Sequence, residues 1–172
     1  MQALDQLNIA NLTSLWRKMG VENHSEFAID GLNISHTWPN RFWFEWNATV
    51  AQIAELNHVL HRLPARAVIP VWTGAGEPAA QLENGLLAEG YEILFSQLVM
   101  YLDLQSALVA RVPELDIVMV NTMANVEIWS ATASAAFGYK IDSAAIHALL
   151  GVPEVKLLLL NSAGQAAATA LV

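Results

Sequence analysis

The sequence contains no cysteine, and only 14% of its 172 residues are charged. The first absence excludes a disulfide framework, a thiolate metal site and a cysteine nucleophile. Cations are scarce as well: 8 Lys+Arg stand against 16 Asp+Glu, a formal net charge of −8. Only Arg17 and Lys18 are adjacent. The clustered cations that neutralise phosphates are therefore missing, which excludes nucleic acid as the main ligand. No apolar run approaches the roughly 18 residues of a membrane span. The start, Met1-Gln2-Ala3-Leu4-Asp5, has neither the basic residues nor the apolar run of a signal peptide, so a cytoplasmic location is expected. Without a secretory signal, the Asn-x-Ser/Thr triplets at Asn11, Asn23, Asn33 and Asn47 read as turn and cap residues.

What the chain does have is apolar residues, 55% of the total, enough for a sizeable core. So little charge also implies that some apolar surface is covered by a partner, and a homodimer is expected. Leu12, Leu15, Trp16 and Met19 recur at helical spacing and predict a helix from about Asp5 to Met19. Phe27 to Ile34 and the aromatic run Arg41 to Trp46 have strand character. Thr49 and Gln52 have capping-box spacing ahead of an amphipathic helix that ends before Pro64. Ala67 to Trp72 reads as a short strand, Pro78 opens a helix that Gly90 ends, and Gln97 to Leu104 reads as another strand.

Beyond a connector over 105–113, Leu115 to Val120 reads as a strand and Asn121 or Thr122 as the cap of a helix ending near Gly138. Asp142 caps a second short helix, closed by Gly151. Val155 to Leu160 and Gln165 to Val172 are strands joined by the turn Asn161-Ser162-Ala163-Gly164. The expected organisation is a block over 1–104 (α-β-β-α-β-α-β), the linker 105–113, and a block over 114–172 (β-α-α-β-β).

Several residues have a chemical reading as well as a plain one. Gly74-Ala75-Gly76 lies between a predicted strand and a predicted helix, the context of a phosphate loop, but Glu77 follows it and would repel an anion. It reads as a turn. Glu55, His58 and His61 share one helix face, yet a metal site needs further ligands and the polar side of that helix already accounts for them, so no metal is expected. Trp43 and Trp46, three apart, point to opposite faces of a strand, one toward core. Ser130, Ser134 and His147 form no recognisable nucleophile arrangement.

The second block resembles the opening of a GNAT acyltransferase domain. The likeness rests on Glu127-Ile128-Trp129, the Phe137-Gly138-Tyr139 junction, and the hairpin from Leu157 through Gly164 to Ala170. The first block is similar to the closing part of the same fold, in Ala67 to Trp72 and in the helix end Leu86-Leu87-Ala88-Glu89-Gly90-Tyr91. The resemblance implies an α/β (α+β) fold, a GNAT-like mixed sheet flanked by helices, with closing elements preceding opening ones. It implies acetyl transfer from acetyl-CoA to a small amine or peptide, with Trp129, Phe137 and Tyr139 on the acceptor side. It assigns no catalytic residue. The family's pyrophosphate loop is glycine-rich and opens a helix, whose N–H groups hold the phosphates. The corresponding stretch, Trp46 to Gln52, has neither glycine nor cation, and the second block stops before such a loop. No cofactor-binding residue is therefore assigned. The expectation is a truncated or degenerate acceptor-side scaffold; the alternative is a catalytically silent binding or dimerisation module.

Overall fold

The computed structural model describes residues 2–21, 27–36, 38, 40–98, 100 and 115–172. Among them the fold is mixed α/β, with five α-helices and two small antiparallel sheets. The chain divides into two compact units, Met1–Arg17 with Val21–Leu102, and Lys18–Gly20 with Asp103–Val172.

In the first unit, helix α1 (Gln2–Lys18) supplies Ile9 and Trp16 as buried residues. Strands β1 (Asn33–Ser35) and β2 (Arg41–Trp43) pair antiparallel with Ile34 opposite Phe42, both fully buried. Helix α2 (Val50–Val59) starts where the sequence places it. Thr49 accepts from the Gln52 N–H at 3.2 Å, and Gln52 returns a bond to the Thr49 N–H at 2.8 Å. Helix α3 (Glu77–Ala88) has Pro78 in its first turn and ends at Gly90, whose positive φ lets the Tyr91 N–H turn back to Leu86 O. Ile53, Leu56, Leu60, Leu82 and Leu86 meet Ile34, Phe42 and Phe44 in one core.

The strands of this unit are shorter than their apolar content predicts. Of the expected strand Phe27 to Ile34 only Asn33 and Ile34 pair, with Ser35 completing β1, because the chain turns between Ile29 and Leu32. The expected run to Trp46 stops at Trp43, where a turn closed by Ala48 N–H and Glu45 O follows. Ala67 to Trp72 makes one parallel bridge, Val68 to Arg41, and no strand. Pro70 has no N–H to continue a ladder. Of the expected strand Gln97 to Leu104, residues 99 and 101–104 lie outside the described residues, as does the linker 105–113. Gln97, Leu98 and Met100 belong to no strand.

The second unit is built from β3 (Asp116–Met119), α4 (Met123–Phe137), α5 (Ser143–His147), β4 (Leu157–Ser162) and β5 (Gln165–Leu171). The strand order is β3-β4-β5, antiparallel throughout. Thr122 caps α4 by accepting from the Asn125 N–H, and Asp142 caps α5 by accepting from Ala144 N–H. Gly138 ends α4 in the left-handed region at φ 75°. The β4–β5 hairpin turns through Ala163 and Gly164, both at positive φ, the backbone of a two-residue turn that follows strand twist.

Candidate functional site

The helices cover one face of β3-β4-β5 and leave the other open. Leu157 and Leu159 point into the covered layer and are buried there with Val120, Val126, Trp129, Ala133, Ile146 and Leu149. Period-two alternation sends their neighbours to the opposite face. The register aligns Ile117 with Leu160 and Ala168, and Met119 with Leu158 and Ala170. Those six side chains make a face without one polar or charged group. Ile117 and Met119 are 53% and 54% exposed, and neither Ala168 nor Ala170 is covered.

The sequence reading misses this face, although its signal is present. Leu157-Leu158-Leu159-Leu160 is apolar at every position, the pattern of a strand expecting cover on both sides. A strand with a solvated outer face would alternate.

Of the three residues assigned to an acceptor side, the structure brings two together. The Phe137 and Tyr139 rings lie 5.7 Å apart at the end of α4, and they are 63% and 48% exposed. Trp129 lies eight positions earlier, about 12 Å along the helix at the usual rise. It is only 6% exposed, with its indole N–H donating to Ala170 O at 3.3 Å. That bond fixes α4 against β5, so Trp129 is part of the layer between helix and sheet. Ser134 is also committed to the fold, its hydroxyl donating to Ser130 O and accepting from Ile141 N–H. His147 is exposed at the end of α5.

The first unit concentrates its tryptophans instead. Trp16 meets Trp43 edge-on at 5.4 Å and stacks on Trp72 at 5.9 Å, and the Arg41 guanidinium lies 4.1 Å above the Trp16 ring. Trp72 N–H donates to Phe44 O at 2.8 Å. Glu45 accepts from Thr13 at 2.8 Å and pairs with Arg17. Beside this group, Phe44, Trp46, Trp72, Pro78 and Leu82 line a cavity of about 20 Å³. A water needs roughly 10–15 Å³ by the same kind of measure, so this space is about the size of a single water.

Gly74-Ala75-Gly76 is a turn. Residues Thr73–Ala75 form one 3₁₀ turn, and a Cβ at Gly74 would come within 2.7 Å of the Trp46 ring. Trp46 lies beyond β2 and is partly buried, whereas Trp43 is 1% exposed, so one tryptophan of that pair faces core. Glu55, His58 and His61 are exposed, and His61 sits in a 3₁₀ turn after α2 ends. Among the described residues no three His, Asp or Glu side chains gather as metal ligands, and no helix is long and apolar enough to cross a membrane.

No family model, curated protein or solved structure matches this chain.

Proposed function

We propose that this chain is a catalytically silent binding module built on GNAT-like elements, and that it holds its partner on the open face of β3-β4-β5. The apolar layer of Ile117, Met119, Leu158, Leu160, Ala168 and Ala170 carries the reading, with the two leucines half-buried in the central strand and the other four residues exposed. Contiguous exposed apolar surface of this kind marks an interaction site in a folded chain. Burying it returns on the order of 25 cal/mol for each Å² removed from water. The order strand, two helices, antiparallel hairpin supports descent from a GNAT scaffold.

The test uses the environment-sensitive dye ANS on the folded chain. Ile117→Lys with Met119→Lys should cut its fluorescence enhancement by at least half with the circular dichroism unchanged. Equal dye binding by parent and variant would remove the basis of the proposal.

A second reading keeps the family chemistry. There the exposed Phe137–Tyr139 pair guides a small amine or peptide toward an acetyl donor held elsewhere. Saturable acetyl-CoA binding separates it from the first, and its expected outcome is argued in the Discussion.

A further inference from the structure

The binding-module reading concerns the open face of β3-β4-β5, and two further surfaces of this chain bear on how the sheet that carries that face is extended. The first is the outer edge of β5. Among the described residues β5 pairs with β4 on one side only. Lys156 and Val172 exchange backbone bonds at 2.7 and 3.0 Å. Antiparallel ladders alternate bonded and non-bonded pairs, so Ala170 and Ala168 point their backbone groups toward β4 and Thr169 and Leu171 point theirs outward. Gln165–Leu171 holds no charge and no proline, the usual devices that blunt an edge.

The second surface is the stretch Ile93-Leu94-Phe95-Ser96-Gln97-Leu98. Its start is anchored by Tyr91, whose hydroxyl donates to Leu60 O at 3.2 Å. Beyond that it belongs to no strand, although four of its six residues are apolar and it holds no charge, glycine or proline. Ile93, Leu94, Phe95 and Leu98 are all exposed, Leu98 at 86%. Such composition favours a strand, and an extended chain with unpaired N–H and C=O groups gains by joining a free edge.

Among the described residues each chain thus carries an exposed strand-forming segment that belongs to no strand, and an uncharged edge on β5 that pairs with no second strand. We propose that residues 93–98 of one copy add as a fourth strand along β5 of a second copy. The exchange is reciprocal, which closes a two-fold dimer and leaves neither surface uncovered. The added strand lengthens the sheet and enlarges its open apolar face. The proposal rests on the binding-module reading, because the second copy joins at the edge of the sheet whose open face that reading assigns to the partner.

Light scattering of the full chain across micromolar concentrations tests it. A dimer is expected. Leu94→Lys with Leu98→Lys spoils the donor segment, and Thr169→Pro removes one outward N–H from the receiving edge, where proline is tolerated. Each variant alone should dimerise at least tenfold more weakly, with circular dichroism unchanged. Mixed, they should regain association, because the intact segment of one fits the intact edge of the other. A parent chain that stays monomeric overturns the second copy as partner. If its dye binding is still lost with Ile117→Lys and Met119→Lys, the module reading survives that result. A dimer that either variant leaves intact, or two weak variants that do not complement, would overturn the strand exchange.

Discussion

Tyr91 shows how one side chain ties a helix end to the core. Its hydroxyl donates to Leu60 O at 3.2 Å, across from the turn that closes α2. Burial first, and the nearby Glu89 carboxylate second, raise its pKa above the usual 10.0. Both causes disfavour phenolate, so the folded chain keeps this proton at a pH where the unfolded chain has begun to lose it. The contribution is therefore intact below the unfolded pKa of about 10 and is lost as pH rises through the folded value. At pH 8, Tyr91→Phe should cost about 1 kcal/mol, the net worth of one such bond. Urea midpoints of parent and variant should converge as pH rises above the unfolded value of about 10. A gap that stays constant across this rise would separate the hydroxyl from alkaline stability. Gly74 is a second case of a residue fixed by its neighbour, since any Cβ there would displace the Trp46 ring.

Helices were legible in this sequence because their ends carry side-chain chemistry. Thr49 with Gln52, Thr122, Asp142 and Gly138 each signal a helix boundary locally, and each does so in the structure. Thr49→Ala removes the acceptor for Gln52 N–H and strands an α2 donor, so it should lower stability by about 1 kcal/mol. An unchanged denaturation midpoint would show that solvent serves that N–H as well. Strands were less legible because a strand exists only when another strand meets it. Ala67 to Trp72 has the composition of one, yet Pro70 interrupts its donors and a single bridge to Arg41 results. The hairpin Leu157 to Leu171 was legible because its turn residues bring the two strands together locally. The candidate site was legible only in part. The exposed pair Phe137–Tyr139 lies at the helix end the sequence marks, whereas Trp129 is apolar enough to read equally as site or core. Which face of Leu157–Leu160 lacks cover depends on where α4 and α5 pack, and no local pattern states that.

At the scale of the whole molecule, charge and helix-end chemistry together bear on acetyl-CoA. The cofactor's phosphates carry several negative charges, and the chain itself carries a net −8. That field opposes the approach of an anion, most strongly at low ionic strength. Some of the few cations are already engaged: Arg17 pairs with Glu45, and Arg41 lies over the Trp16 ring. The helix start that the GNAT resemblance sets opposite a pyrophosphate, that of α2, has two of its N–H donors engaged in its own capping box. Gln52 N–H is taken by Thr49, Thr49 N–H by the Gln52 side chain, and the Gln52 amide also donates to Asp30 O at 2.9 Å. A phosphate would have to break the capping box to reach those groups. Titration calorimetry with acetyl-CoA should accordingly give a dissociation constant weaker than about 10 μM, less than about 7 kcal/mol of binding on the standard scale. Salt helps discriminate the cause. Binding limited by like-charge repulsion strengthens as salt is added, whereas binding held by phosphate–cation contacts weakens. Saturable binding tighter than that limit, weakening with salt, would show a phosphate site and favour the acetyltransferase reading over the silent module.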